Sequence, residues 1–301
     1  MGKLNWRERA PISVPRSGFM AGAISGKYVV AGGSFWVGKQ KHWTSEVEAF
    51  DPVSNTWTKW RPLPEPRSDA ASVVFDHALY FFGGIIDGHA RGDAWELRNQ
   101  EWKAVHGAEL PEHRFYAAAV ACRGLIYLVG GLSDTGKNAE MSNALWVWNP
   151  RQPAKPWEVL SPMPGHGLMA HAVATVEGKI YVLGGARKDG KGIANVQTVF
   201  KFDPETASWT RLGDLPIARR CWSGMGVDGK ILLIGGYSTT YERDVFTYDL
   251  PSGHLLNCGL MPHGICAAQF VRVGDCIIGT GGEVGEGVRG KWTIEARLSG
   301  N

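Results

Sequence analysis

The segment Ile180-Tyr-Val-Leu-Gly-Gly185 joins a short apolar run to a pair of glycines, and this unit recurs along the whole chain. A four-residue apolar run bounded by glycine is typical of a buried strand. Such runs end at Gly32-Gly33, Gly83-Gly84, Gly130-Gly131, Gly184-Gly185, Gly235-Gly236 and Gly281-Gly282. Successive pairs are separated by 51, 47, 54, 51 and 46 residues. A period of this length indicates a repeat architecture with one supersecondary unit per repeat.

Further signals keep the same register within the repeats. A turn residue stands six positions before each glycine pair and predicts a tight β-hairpin: Gly26, His77, Gly124, Gly178, Gly229 and Asp275. The dipeptides Asp51-Pro52, Asn149-Pro150 and Asp203-Pro204 predict a turn after a third strand. A tryptophan then opens a fourth strand at Trp57, Trp102, Trp157 and Trp209, and Leu255 takes that place in the fifth repeat. Each repeat is therefore predicted to hold four antiparallel strands, which we call a to d.

The sixth repeat supplies a third strand over residues 291–298, after which the sequence ends. Its fourth strand is predicted at the other end of the chain, over residues 4–9, with Trp6 in the tryptophan position. Joining the two ends in one unit closes the array and covers the strand edges that an open row would expose.

The combination of strand, Gly-Gly, Asp/Asn-Pro and Trp at a period of about 50 residues resembles the kelch repeat family over the whole chain. The resemblance implies an all-β fold, a six-bladed kelch β-propeller whose last blade is closed by the N-terminal strand. It also implies that residues 1–301 form a single kelch domain.

Composition excludes several classes of function. With 44% apolar and 20% charged residues, the 301-residue chain can bury a core, and its formal net charge of +3 argues against a nucleic-acid partner. No apolar run approaches the roughly 20 residues of a membrane helix, so no membrane partner is expected. The N-terminus lacks the apolar segment of a secretory leader, and the five cysteines form no Cys-x-x-Cys. We therefore expect a cytoplasmic protein, with an exported mature form as the alternative.

Four arginines stand sixteen residues before a glycine pair: Arg16, Arg67, Arg114 and Arg219. This position begins strand a, the innermost strand, so these arginines are expected near the mouth of the central channel. Converging guanidinium groups favour an anionic ligand such as a carboxylate. The alternative is a structural role, in which the arginines bind carbonyls and acids between blades.

Three of the tryptophans outside the packing register are candidates for contact with a ligand. Trp36 and Trp43 belong to the loop after the first glycine pair, and Trp222 lies at the start of strand a in the fifth repeat. Aromatic rings beside a channel favour stacking on a sugar or a peptide. Ordinary packing on the top face is the alternative.

The loop after the last glycine pair carries a sharper pattern. Gly282-Glu283 and Gly287-Val288-Arg289 have the form Gly-Glu-x-x-x-Gly-x-Arg, which resembles the active-site loop of the sialic acid (N-acetylneuraminate) mutarotases, bacterial six-bladed kelch enzymes. The resemblance implies that Glu283 is the general acid/base and that Arg289 is its charged partner. Mutarotation opens and recloses a hemiketal ring, and one carboxyl that exchanges protons with the sugar oxygens can serve it.

The sequence leaves enzyme and binding scaffold both open. The first hypothesis is a small anionic or sugar ligand in the channel mouth, bound by a mutarotase (an isomerase) that uses no cofactor and no metal. The second is a non-enzymatic kelch module with a protein partner on the top face, as in the kelch substrate adaptors of ubiquitin ligases. A third resembles the plant specifier proteins, which use iron. Asp87, Asp134 and Glu140 occupy suitable loops for that reading, without the full ligand spacing.

Overall fold

A computed structural model shows a six-bladed β-propeller, which confirms the fold predicted from the repeat. The structure describes residues 2–136, 139–190 and 192–298. These residues form strands, turns and loops, without a helix. Accordingly, they include no helix with the length and apolar character needed to cross a bilayer.

The first half of the chain supplies strand β1 and three blades. Strand β1 is Trp6–Arg9. Blade one contains β2 (Met20–Ile24), β3 (Lys27–Ala31), β4 (Ser34–Val37), β5 (Gln40–Trp43), β6 (Val47–Asp51) and β7 (Thr56–Trp60). Blade two contains β8 (Ala71–Phe75), β9 (Ala78–Phe82), β10 (Ile85–Ile86), β11 (His89–Ala90), β12 (Ala94–Arg98) and β13 (Glu101–Ala104). Blade three contains β14 (Ala118–Cys122), β15 (Leu125–Val129), β16 (Leu145–Trp148) and β17 (Glu158–Leu160).

The second half supplies the remaining three blades. Blade four contains β18 (Ala172–Val176), β19 (Lys179–Leu183), β20 (Ala186–Lys188), β21 (Ile193–Asn195), β22 (Thr198–Asp203) and β23 (Ser208–Asp214). Blade five contains β24 (Ser223–Val227), β25 (Lys230–Ile234), β26 (Asp244–Tyr248) and β27 (Leu255–Leu260). Blade six contains β28 (Val271–Val273), β29 (Cys276–Thr280), β30 (Glu283–Gly285), β31 (Val288–Arg289) and β32 (Thr293–Arg297).

Each blade is a four-stranded antiparallel sheet in the order a-b-c-d, and short hairpins decorate some of the b–c loops. Bridges such as Ser17 to Ser34 join the start of strand a to the b–c loop of the same blade. The d–a connections and the b–c loops therefore share one face, which we call the top face, as the strand parity predicts.

Strand β1 is the fourth strand of blade six, as predicted. It pairs antiparallel with β32, with Trp6 opposite Ala296 and Arg9 opposite Thr293. Glu295 of β32 is only 2% exposed and makes ion pairs with Arg7 at 2.5 Å and with Arg9 at 2.6 Å. Residues from both ends of the chain thus close the ring of blades.

The glycine pairs hold each blade to the next. The N–H of Gly33 in blade one donates to the carbonyl of Arg67 in blade two at 2.7 Å. A Cβ on Gly32, whose φ is +67°, would lie 2.3 Å from that same carbonyl oxygen, so a side chain cannot be accommodated there. The same amide-to-carbonyl bond recurs at all six junctions: Gly33 to Arg67, Gly84 to Arg114, Gly131 to Leu168, Gly185 to Arg219, Gly236 to Ile265 and Gly282 to Arg16.

The register tryptophans link the blades nearer the periphery. In four of the five, the indole N–H donates to a carbonyl in the chain segment that leaves the preceding blade: Trp57 to Ala10, Trp102 to Arg61, Trp157 to Ala108 and Trp209 to Ser161. The indole N–H of Trp6 is buried without a partner among the described residues. Their rings pack on aromatic neighbours, and Trp57 lies 5.3 Å from the Phe50 ring and 6.1 Å from the Tyr28 ring, measured between centroids. The four bonded tryptophans therefore combine apolar packing with a satisfied polar group.

We predict that Trp57→Ala lowers the free energy of unfolding by about 3 kcal/mol, because it removes a half-buried aromatic ring and leaves the Ala10 carbonyl without its donor. Urea denaturation followed by circular dichroism measures the change. Trp36→Ala is the matched control, since Trp36 is exposed on hairpin β4–β5, and its cost should stay within about 0.5 kcal/mol. Equal losses for the two variants would contradict the role assigned to Trp57.

Candidate functional site

Six residues that precede strand a form a closed ring around the channel at the top face. We call them the mouth ring: Gly18, Asp69, Tyr116, Ala170, Cys221 and Ala267. All have positive φ, between 51° and 64°. Each N–H donates to the carbonyl of the ring residue in the preceding blade, at 2.6–3.0 Å, and Gly18 completes the circle by donating to Ala267. Residues about 50 positions apart in sequence are therefore brought together around one axis.

Two cavities lie along the channel. The upper one, of about 110 Å³, is lined by the mouth ring and by the next residues of strand a, including His171 and Trp222. The lower one, of about 440 Å³, is lined mainly by small side chains of strand a. Its volume falls within the 300–1,000 Å³ typical of small-molecule sites. Burial lowers the pKa of His171 to about 4, so its imidazole is neutral near pH 7.

Glu283 and Arg289, the predicted catalytic pair, lie together at the mouth. They face each other across hairpin β30–β31, and Glu283 Oε1 is 3.3 Å from Arg289 Nη1. The Tyr241 hydroxyl donates to the same carboxylate oxygen at 3.4 Å. Burial, together with the negative charge of Glu283, raises the pKa of Tyr241 to about 12, so this hydroxyl keeps its proton. The structure brings the two residues together, and their catalytic role stays a prediction.

Arg289 is held mostly out of solvent although it belongs to a loop. Its side chain is 7% exposed, and its Nε is buried without a hydrogen-bond partner among the described residues. Backbone hydrogen bonds join its partner Glu283 to Cys266, and Glu283 N donates to Cys266 O at 2.8 Å. Cys266 immediately precedes Ala267 of the mouth ring. Arg289 therefore places a largely buried positive charge beside Glu283 at the mouth.

Asp69 and Tyr116 belong to this site and were missed by the sequence reasoning. The negative charge of Asp69 is the main cause that raises the pKa of Tyr116 well above its ordinary value, and burial is the second. Burial is also the main cause that raises the pKa of Asp69, and Glu283 contributes in the same direction. The repeat register held a usable signal: both stand two residues after a register arginine, a position filled by Gly18 in blade one and by Ala170 in blade four.

Two thiols complete the mouth. Cys221 is a mouth-ring residue and Cys266 immediately precedes another, Ala267. A hydrogen bond with the Cys221 thiol, followed by burial, raises the pKa of Cys266 far above its ordinary value, so Cys266 stays protonated. The five cysteines are all free, as the sequence predicts.

Two of the register arginines bind carbonyl and carboxylate groups of their own blade. Arg67, 1% exposed, donates to the Gly83 carbonyl at 2.8 Å and to Asp93 Oδ1 at 2.7 Å. Although burial opposes ionisation, the hydrogen bonds from Arg67 hold the pKa of Asp93 below its usual range. Arg219 repeats the pattern in blade five, reaching the Gly235 carbonyl and Asp244 at 3.1 Å each.

The other two arginines are also buried in their blades. Arg16 is fully buried, with its Nη2 3.0 Å from Glu48 Oε2. Arg114, 5% exposed, pairs with Glu112 and lies over the Trp146 ring at 5.4 Å. The geometry of all four matches the structural alternative, and their contact with a ligand stays a prediction without further support.

The unassigned tryptophans separate into two groups. Trp222 is 5% exposed, donates to the Leu183 carbonyl at 3.2 Å and packs beneath Arg219. Trp36 is 38% exposed on hairpin β4–β5, where Lys41 lies 5.3 Å from the ring of Trp43. Trp36 and Trp43 therefore belong to the top surface, whereas Trp222 forms part of the channel wall. Stacking of these rings on a ligand stays a prediction.

Three acidic residues of the b–c loops are the metal-ligand candidates that the sequence offers. Asp87, Asp134 and Glu140 lie on the loops of blades two and three. Across the part of the chain that the structure describes, no three His, Cys, Asp or Glu side chains are grouped so as to hold a metal ion.

We predict that Arg67→Ala lowers the free energy of unfolding by about 2–3 kcal/mol, because Asp93 loses its cationic partner and keeps, among the described residues, only the Trp95 indole as a side-chain donor, and the Gly83 carbonyl loses the Arg67 donor. This loss is smaller than that expected for a fully buried ion pair, because 35% of the Asp93 side chain is exposed to solvent. The control is Arg61→Ala, which breaks an exposed pair with Glu101 and should cost no more than about 0.5 kcal/mol. Chemical denaturation of the three proteins gives the comparison. A fully stable Arg67→Ala would show that this arginine does not brace its blade.

Comparisons with known proteins agree with this architecture. Residues 18–236 match the family model of the KLHDC2/KLHL20/DRC7 Kelch-repeats domain. Kelch-like protein 35 of Mus musculus is 28% identical over 204 residues, which is 67% of this chain and 33% of that protein. Kelch-like protein terF of Aspergillus terreus is 26% identical over 296 residues, covering 91% of this chain and 62% of that protein. The chain spans about a third of the length of the first curated relatives.

A solved structure, that of YjhT, superposes with a TM-score of 0.79 and covers 97% of this chain and 98% of its own, at 15% sequence identity. At that identity the likeness concerns the fold alone. The family model covers more than half of the sequence, and the six blades with their Gly-Gly junctions supply the matching structure. The chain therefore belongs to the KLHDC2/KLHL20/DRC7 Kelch-repeats domain family.

Proposed function

We propose that the protein binds an anionic sugar of the sialic acid type at the channel mouth and interconverts its anomers, with Glu283 as the acid/base. The observation that carries the proposal is the placement of the Glu283 carboxylate between Arg289 and Tyr241 beside the mouth ring. The Gly-Glu-x-x-x-Gly-x-Arg loop, which resembles that of the sialic acid mutarotases, supports the same function.

The chemistry requires proton exchange at two sugar oxygens. Removing the proton of the anomeric hydroxyl lets a carbonyl form there, while the bond from the anomeric carbon to the ring oxygen breaks and that oxygen takes up a proton. Reclosure on the other face of the carbonyl reverses these transfers and gives the other anomer. A carboxylate at the mouth is the type of group that accepts and returns the first proton.

Charge at the mouth suits an acidic sugar. Arg289 pairs with Glu283 through Nη1, and its buried Nε is unpartnered within the described residues. A ligand carboxylate that reached the Arg289 guanidinium would gain a charge-assisted hydrogen bond in a partly desolvated place. The same contact would orient the sugar with its anomeric centre near Glu283.

We expect Glu283→Gln to reduce catalysed anomer exchange at least about 100-fold, because the amide cannot accept the hydroxyl proton. Saturation-transfer NMR on N-acetylneuraminate and a panel of reducing sugars reports ligand contact and exchange in one experiment. Glu286→Gln is the matched control, since Glu286 is exposed on the same hairpin and should exchange anomers like the native protein. If the native protein leaves every sugar at its spontaneous rate, it is not a mutarotase.

A protein partner on the top face is the second candidate, and exposed apolar side chains on two adjoining hairpins favour it. Trp36 and Val37 of hairpin β4–β5 are 38% and 60% exposed, and Val288 of β31, which contacts β4, is 54% exposed. Kelch adaptors, which the sequence also resembles, bind proteins. Neighbouring exposed apolar groups on a folded surface are typical of a docking site.

We predict that a photo-crosslinking residue at position 37 captures a defined partner if this second function holds. Position 53 is the matched control, because Val53 is 94% exposed in a c–d turn on the opposite face. The Trp36→Ala change in the position-37 protein should abolish the crosslink. Equal capture at both positions, or capture insensitive to Trp36, would rule out a specific top-face partner.

A further inference from the structure

Asp69 stands out among the mouth-ring residues because it is the acidic one of the six. It holds a φ of +56°, which side chains with a Cβ adopt at some cost, although Asp tolerates it better than most residues. The positive φ does not by itself require an acid, since Gly18 and Ala170 adopt the same backbone conformation in their blades. A charge-capable side chain in this place points to a role at the channel mouth.

The Asp69 carboxyl lies over Gly18 of blade one. A Cβ on Gly18 would come within 2.2 Å of Asp69 Oδ1, so the carboxyl occupies the space that a side chain at Gly18 would take. In the ring, Gly18 lies between Asp69 and Ala267, with bonds of 2.6 and 2.9 Å. Blade six carries Glu283 and Arg289 beside Ala267, so the bare glycine opens the path between Asp69 and that pair.

The surroundings of Asp69 favour a carboxyl that holds its proton. It lines the upper cavity, and the Ser68 hydroxyl fixes its orientation by donating to Oδ2 at 2.8 Å. Burial raises the pKa of Asp69 and Glu283 adds to this, whereas Lys41, the Ser68 hydrogen bond and Arg289 act in the opposite direction. Tyr116, the next ring residue, also faces Asp69 and stays protonated. The net direction is upward, so the mouth holds one carboxyl protonated more readily than an ordinary aspartate.

We propose that Asp69 is a second catalytic carboxyl, which protonates the ring oxygen of the sugar while Glu283 takes the proton of the anomeric hydroxyl. This inference rests on the proposed mutarotase function and deepens it by dividing the two proton transfers between two blades. The ring-opening electrons move from the breaking carbon–oxygen bond onto the ring oxygen, which receives the Asp69 proton. The electrons of the anomeric O–H bond form the carbonyl, and Glu283 holds the released proton.

Reclosure restores both groups. The freed hydroxyl attacks the carbonyl from its other face and returns its proton to the Asp69 carboxylate, while Glu283 delivers its proton to the carbonyl oxygen. Each turnover therefore leaves the protein in its starting state, with Asp69 protonated and Glu283 ionised. No oxidant, reductant or further reactant enters the balance.

The test compares Asp69→Asn with Asp87→Asn, a matched change of an exposed carboxyl in the same blade. Asparagine also tolerates positive φ, so the mouth ring should survive, and thermal unfolding checks this. Anomer exchange is measured by NMR from pH 4 to 9 on the sugar that the native protein converts. We expect Asp69→Asn to lose at least about 100-fold in kcat/KM and Asp87→Asn to match the native protein.

The pH profile separates proton transfer from mere support of the fold. In the native protein the rate should fall as pH rises through the pKa of Asp69, because the acid then loses its proton. This fall forms the alkaline limb of the pH profile. The residual rate of Asp69→Asn should lack this limb. Ser68→Ala, which keeps Asp69 but removes a hydrogen bond that favours its ionised form, should move the limb to higher pH.

The outcomes keep the two proposals distinguishable. If the native protein does not accelerate exchange, or if Glu283→Gln keeps the native rate, the proposed function fails and this inference fails with it. If Glu283→Gln abolishes exchange while Asp69→Asn retains both the rate and the alkaline limb, Asp69 is not catalytic and the proposed function stands. An unchanged limb in Ser68→Ala would likewise overturn the assignment of that limb to Asp69.

Discussion

The amide-to-carbonyl bond between one blade and the next is the constraint on which the rest of this propeller depends. The second glycine of each pair supplies the donor, and the first must lack a side chain because the acceptor oxygen lies where its Cβ would be. Since the bond repeats at all six junctions, it sets both the spacing of the blades and their rotation about the axis. In blade two, the buried Arg67 takes part in two of these junctions. Its guanidinium donates to the carbonyl of Gly83, the first glycine of its own blade, and its own carbonyl accepts the bond from Gly33 of blade one.

The mouth ring converts this regular scaffold into an irregular site. Its backbone bonds run in the opposite sense to those of the glycines, from each blade to the preceding one, so the two sets brace the channel from both directions. Backbone groups alone form the bonds of the ring, so its positions can carry different side chains, although all six hold a positive φ and Gly18 has no room for a side chain beside Asp69. A carboxyl, a phenol and a thiol are thus held around one opening, and the b–c hairpin of blade six adds Glu283 and Arg289.

Much of the fold could be predicted from the sequence because its constraints recur. Gly-Gly and the tight hairpins reflect backbone requirements that all six blades share, and Asp/Asn-Pro and the register tryptophans recur in three and five of the blades. Glu283 and Arg289 could be singled out because their loop resembles a known pattern. Asp69 and Tyr116 were missed because each residue type occurs once at its position. Their place two residues after a register arginine becomes a signal only when the closed ring shows that this position lies at the mouth. The register arginines were ambiguous for a physical reason, since a guanidinium at the start of strand a can turn toward the channel or into its own blade. Their burial beside carbonyl and carboxylate partners matches the second arrangement, and a ligand contact stays a prediction.

The mixed origin of blade six has a consequence for how the protein is made. Arg7 and Glu295 are 288 positions apart, yet they meet in one sheet. During synthesis strand β1 emerges long before its partner β32, and its edge stays unpaired until the five intervening blades have been made. Contacts of such sequence separation are slow to form. The hairpin with Glu283 and Arg289 belongs to the same sixth blade, so the mouth is complete only after that blade has been translated, and a ligand can engage only the finished ring.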